Sequence, residues 1–132
     1  MRKLTLLLTT LVFSLTMMFS STSYAKWTKV GDSGYGTNYV DFERIKKVGG
    51  YVYYWDLTDL LKPGKWGVLS EKIYSQGDCK LFRFKYLSFL FYKEPMGGET
   101  GFTVNKPDKD WNYPSPDTVG EIILKKVCKY AN

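Results

Sequence analysis

Side chains that commonly do chemistry are scarce in this sequence. It has no histidine, which removes the commonest general base and the commonest metal ligand. Its only thiols, Cys79 and Cys128, lack the C-x-x-C spacing of a reactive pair. Carboxylates lie near one another twice, at Asp56 with Asp59 and at Asp108 with Asp110. Such pairs serve as acid and base in glycosidases, but neighbouring acidic residues in turns are ordinarily solvated loop charges. Weak calcium binding by Asp108 and Asp110 is the one exception to a metal-free reading, since only oxygen ligands remain. Gly97-Gly98-Glu-Thr-Gly101 lacks the lysine and helix start that a phosphate loop needs, so its glycines read as turn residues. No catalytic residue and no cofactor are expected, and the chain does not read as an enzyme.

One stretch combines charge with aromatic rings. Lys80-Leu-Phe-Arg-Phe-Lys-Tyr86 loosely resembles an RNA-binding strand, but the glycine positions of that motif are missing. The same residues suit an acidic polymer or the edge of a protein. The candidate binding surface is therefore Lys80, Arg83, Lys85, Tyr86 and Tyr92. The plainer alternative is that the rings fill a core and the charges are merely exposed.

The elements that must position these residues begin after an expected export signal. Arg2 and Lys3 precede an apolar stretch from Leu4 to Phe19, and Ser23 and Ala25 supply the small residues that a signal peptidase needs. Thr9, Thr10, Ser14 and Thr16 dilute that stretch, where a membrane span wants about 20 strongly apolar residues. Cleavage after Ala25 is expected, giving a signal peptide over 1–25 and a single domain over 26–132. No cysteine precedes Cys79, so no lipid-modified cysteine starts the mature chain. Export argues against a nucleic-acid partner and for one disulfide between the two cysteines. That bond closes a loop of about 50 residues, which chain entropy values at roughly 4 kcal/mol. The mature chain keeps 17 basic and 13 acidic residues, a net charge of +4, compatible with anionic polymers or simple solubility.

Turn residues divide the mature chain into strands. Lys26 to Val30 and Asn38 to Phe42 read as short strands around Gly31–Gly36, and Glu43 to Val48 runs into a Gly49-Gly50 hairpin. Tyr51 to Thr58 is the clearest strand, with Tyr51, Tyr53, Trp55 and Leu57 on one face and Val52, Tyr54, Asp56 and Thr58 on the other. Trp66 to Gln76 follows, and after Gly77-Asp78 a long strand runs from Cys79 to about Lys93. Plain alternation there puts Phe82, Phe84, Tyr86, Leu90 and Tyr92 on one face, and Leu81, Leu87, Phe89 and Phe91 with Arg83 and Lys85 on the other. Both faces are then mostly apolar, which a bulge, a second covered face or a partner surface would each explain. Residues 94–110 read as a loop. Ser115 is the expected N-cap and Pro116 the first position of a helix, with Val119, Ile122, Ile123 and Val127 on its apolar side. The fold class is α+β: an antiparallel meander of about five or six strands packed against one C-terminal α-helix, with one disulfide between Cys79 and Cys128.

Several landmarks in order resemble the surface-adhesin protein E family of exported bacterial proteins. They are Tyr39-Val-Asp-Phe42, then Val52-x-x-Trp55-x-Leu57-x-Asp59-x-x-x-Pro63, then Gly77-Asp78-Cys79-Lys80. Pro95-Met-Gly-Gly98, Trp111-x-Tyr113-Pro114 and Lys126-Val-Cys128 complete the series. The resemblance implies a noncatalytic binding module of the envelope, with host matrix or serum proteins as ligands and haem for some members. It transfers no ligand site to any residue. The alternative function is a periplasmic structural or assembly factor that self-associates, as a homodimer, through its aromatic strand. Expected partners are extracellular or envelope proteins or acidic polymers, with no nucleic acid and no membrane span after signal cleavage. The expected location is the periplasm or the cell surface, or outside the cell, without a lipid anchor.

Overall fold

The computed structural model describes residues 25–99 and 101–132. The expected signal peptide, apart from Ala25, lies outside the described residues. Seven strands form one antiparallel sheet: β1 Thr28–Asp32, β2 Gly36–Val40, β3 Lys46–Val48, β4 Tyr51–Leu60, β5 Ser70–Asp78, β6 Arg83–Tyr92 and β7 Gly101–Val104. Among the described residues one α-helix, α1, spans Val119–Ala131, and short 3-10 turns occupy Phe42–Arg44 and Lys65–Gly67. The strand order is β1-β2-β4-β5-β6-β7, and β3 also pairs with β4. β2 takes residues 56–60 of β4 and β3 takes residues 51–53, so the two short strands lie end to end along one long neighbour. The hairpin between β3 and β4 turns on Gly49 and Gly50, both at positive φ (59° and 81°), as a two-residue turn matched to the strand twist requires.

The helix packs on the sheet face that carries Val40, Val52, Tyr54 and Phe84, and brings Ile123, Leu124, Val127 and Cys128 to it. These helix positions recur at the 3.6-residue period, which gathers them into one stripe. Gly77 of β5 lies directly beneath. A Cβ there would sit 3.0 Å from Leu124 Cδ1 and 2.9 Å from Val52 Cγ2, so the missing side chain is what lets the helix approach. Cys79 and Cys128 are bonded, and no described cysteine is free.

Four sequence expectations need correction. β6 starts at Arg83 rather than Cys79. Asp78 Oδ1 accepts from the N–H groups of Lys80 and Leu81, and Oδ2 accepts from Arg83 Nε at 2.9 Å. That carboxylate closes a tight turn, and Cys79 sits inside it. Second, β6 does not alternate uniformly: Tyr74 pairs with Ser88 but Ser75 with Tyr86, so Leu87 is an extra residue. The bulge flips the faces beyond it. Phe84, Tyr86, Phe89 and Phe91 form one continuous row of ring contacts, while Arg83, Lys85, Ser88, Leu90 and Tyr92 share the other face. Third, residues 101–104 pair with β6 as an edge strand, inside what reads as a loop. Fourth, Thr118 rather than Ser115 caps α1, accepting from the Glu121 N–H. Asp117, at φ 63°, interrupts the helical path that Ser115 and Pro116 suggest.

Candidate functional site

The α-helix covers one side of the sheet, and among the described residues no α-helix lies on the other. By cross-strand register that other side carries Tyr51, Tyr53, Trp55 and Leu57 from β4, Lys72, Tyr74 and Gln76 from β5, and Arg83, Lys85, Ser88, Leu90 and Tyr92 from β6. The alternation in β4 puts its rings here because each strand must turn its most buried set, Val52, Tyr54 and Asp56, towards the helix.

Rings and cations are interleaved across this face. Trp55 stacks on Tyr74 at 4.8 Å, and Tyr53 lies 6.2 Å from the same ring. At one end, the Arg83 guanidinium and the Lys85 ammonium stand over Trp111, at 4.3 and 4.9 Å from its centroid, and Tyr51 packs on the same indole. At the other end, Lys72 Nζ lies 4.8 Å from the Tyr92 ring and 5.7 Å from Trp27. Beside it is a notch of about 220 Å³ lined by Trp27, Asp41, Arg44, Trp55, Lys72 and Tyr92. Contacts of this kind hold long cationic side chains in place over apolar surface.

The electrostatics differ between the two ends. Burial, with Arg44 nearby, holds the Lys72 ammonium below the usual lysine pKa, so its positive charge is incompletely compensated. Arg83 is raised above its usual value, chiefly by its hydrogen bond to Tyr113 Oη and further by Asp78. Burial works against the Asp78 carboxylate, but the bonds from Leu81, Arg83 and Lys80 together hold its pKa down. The Arg83–Asp78 pair is structural, while Lys72 forms no ion pair with a carboxylate among the described residues.

The sequence-derived surface residues separate in space. Arg83, Lys85 and Tyr92 share the helix-free face, with Tyr92 buried beneath Lys72. Lys80 is exposed in the β5–β6 turn. Tyr86 points to the opposite, helix side, where burial and then the charge of Asp56 push its phenol up to about 12. Trp27, Arg44, Lys72 and Trp111 complete the face but lie far apart in sequence. Only the ring alternation of β4 signals them.

The carboxylate pairs do not act together. Asp56 and Asp59 are three residues apart on a strand and face opposite sides; Asp59 accepts from the Met96 N–H. Asp108 accepts from the Tyr86 N–H and from Asn112 Nδ2, and so ties the 108–112 segment to β6. Among the described residues no group of three Cys, Asp or Glu side chains is placed to hold a metal. Haem finds neither a histidine nor a free cysteine for its iron in this chain, which leaves tyrosine and methionine as the axial-ligand types present. Among the described residues no helix is long and apolar enough to cross a membrane.

Comparison with known proteins gives a consistent result. The family model described as surface-adhesin protein E matches residues 27–129. Crystal form II of Haemophilus influenzae protein E superposes with a TM-score of 0.65 at 17% identity, covering 84% of this chain and 94% of that one. A second structure of Haemophilus influenzae protein E gives 0.62 at 17% identity, over 82% and 87% of the two chains. Protein E from non-typeable Haemophilus influenzae gives 0.59 at 17% identity, over 83% and 79%. No curated protein matches the chain.

Proposed function

We propose, since the chain belongs to the surface-adhesin protein E family, that the helix-free face of its sheet is the adhesive surface and docks an acidic segment of an extracellular matrix or serum protein. Family membership makes the chain an adhesin-like binding module rather than an enzyme. The observation that carries the reading is Lys72, a cation held between Trp27 and Tyr92 and disfavoured by burial and by Arg44. A carboxylate docking beside Lys72 would supply the counter-charge that it lacks, since Asp41 in the adjoining notch is already paired with Arg44, and the surrounding rings would bury the apolar part of the partner. Arg83 and Lys85, at the other end of the face, extend the positive strip. Export with loss of residues 1–25, and a surface or periplasmic location without a lipid anchor, are part of the same proposal.

Self-association through the aromatic strand has less support. β6 pairs with β5 on one side, and with β7 and the 108–112 segment on the other, so its backbone is engaged along most of both edges. An acidic partner predicts strong salt dependence. Capture of the mature protein on immobilised basement-membrane extract should weaken about tenfold between about 0.05 and 0.5 M sodium chloride. Capture that is indifferent to salt would contradict a charge-led surface.

A further inference from the structure

A second recess lies on the helix side of the sheet, distinct from the adhesive face. It is a cleft of about 750 Å³ between the first turn of α1 and strands β2, β4, β5 and β6, within the size range of small-molecule sites. Its polarity is opposite to that of the whole protein. Four carboxyl groups line it, those of Asp32 (already paired with Lys29 at 3.0 Å), Asp56, Glu71 and Asp117, and no lysine or arginine does, although the chain is net positive.

The register explains how the floor is assembled. Asn38 pairs with Thr58 and Thr58 with Glu71, giving one cross-strand row; Val40, Asp56 and Ile73 form the next. Asp56 and Glu71 are therefore diagonal neighbours on one face, within reach of each other. Asp56 is only 5% exposed, and no hydrogen bond or ion pair among the described residues engages its carboxyl group. Asn38, 6% exposed, spends its amide N–H on Thr58 Oγ1 at 2.9 Å, which leaves its Oδ1 without a partner. Buried acceptors without donors are costly unless something supplies the donors. The rings of Tyr54, Phe84 and Tyr86 stand around these groups, and Val119 and Ile123 close the helix side.

We propose that this cleft binds a small organic cation, an ammonium or guanidinium group on a short apolar body, with Asp56 and Glu71 as its counter-charges and Asn38 Oδ1 as a further acceptor. An N–H-rich cation satisfies the unpartnered oxygens, and aromatic faces attract its charge. The helix start does not favour an anion instead. Its Glu121 N–H already bonds Thr118 Oγ1 and its Ile122 N–H the Thr118 carbonyl, and Asp117 adds a negative charge at the rim. Burial, and next the charge of Glu71, push the Asp56 carboxyl up to about 8, so near neutral pH it holds its proton until a bound cation stabilises the carboxylate. Glu71 is likewise raised by burial.

The test is calorimetric titration of the mature protein with benzylamine, benzyl alcohol and benzoate. Benzylammonium should bind saturably, and the neutral and anionic analogues at least about tenfold more weakly. Asp56→Asn should weaken benzylammonium by about tenfold or more while leaving the circular dichroism spectrum unchanged. Glu71→Gln, at a less buried position, should weaken it in the same direction, and stands in if Asp56→Asn does not fold. Equal binding of alcohol and amine, preference for benzoate, full retention of binding in the folded variants, or no saturable binding of the amine below about 10 mM would each overturn the proposal.

Discussion

Replacing both Cys79 and Cys128 by serine should cost about 2–5 kcal/mol of stability, measured by denaturant unfolding of the oxidised wild type against the variant. The two cysteines are 49 residues apart, so their bond removes a large loop-closure entropy from the unfolded chain. For a domain of this size that is a large share of a total of about 5–15 kcal/mol. Its position adds a local consequence. Cys79 lies in the turn that Asp78 closes, and Cys128 lies in the last turns of α1. The bond therefore pins the C-terminal end of the helix to the β5–β6 turn, while Thr118 caps the other end. Without it, amide exchange in residues 119–131 should rise before exchange in β4 and β5, the two strands most extensively paired. A variant with unchanged stability, or one whose sheet opens together with the helix, would show that the bond is not the main tie between them.

Leu124→Ala should have an effect of similar size, about 2–5 kcal/mol. Leu124 is 0% exposed and belongs to the cluster that joins helix to sheet. It fits over Gly77, whose hydrogen side chain lets Leu124 Cδ1 reach the sheet between Val52 and Tyr54. Removing the isopropyl tip leaves a void that neither the glycine below nor the paired strands can move in to fill. Gly77→Ala in the same background makes the check specific. In the wild type the added methyl would collide with both Val52 and Leu124 and destabilise, whereas in Leu124→Ala only the Val52 clash remains, so the double variant should lose less than the sum of the two single losses. Additive losses in the double variant would mean that the two residues do not share one packing site.

Much of this packing was legible from the sequence. The alternation of Tyr51–Thr58 separates the two faces of β4 correctly, and the spacing of Val119, Ile123 and Val127 marks the helix stripe. Export chemistry alone points to the disulfide that the structure contains. What was not legible depended on single-residue irregularities. One extra residue, Leu87, reverses the faces of half of β6 and makes a clean row of rings look like two mixed faces. The edge strand β7 has four exposed residues and no alternating burial, so no period identifies it. The proposed binding face was legible only in part. Arg83 and Lys85 stand in one aromatic strand, but Trp27, Arg44, Lys72 and Trp111 reach it from four separate segments, and only the pairing register gathers them. The acidic cleft was further hidden, because Asp56 and Glu71 become neighbours through β4–β5 register and not through spacing.

The central functional claim is that the helix-free face, and not the helix face, makes the adhesive contact. The most direct measurement compares the affinity of three proteins for immobilised basement-membrane extract by surface plasmon resonance. They are the mature wild type, Lys72→Gln/Lys85→Gln, and Lys125→Gln/Lys126→Gln on the exposed side of α1. Both variants lose two positive charges, and Arg83 is left in place because it holds the buried Asp78. The Lys72→Gln/Lys85→Gln protein should bind at least about tenfold more weakly than wild type, with the helix variant within about twofold of it. Equal binding by all three, a loss confined to the helix variant, or no binding by the wild type would contradict the assignment of this face.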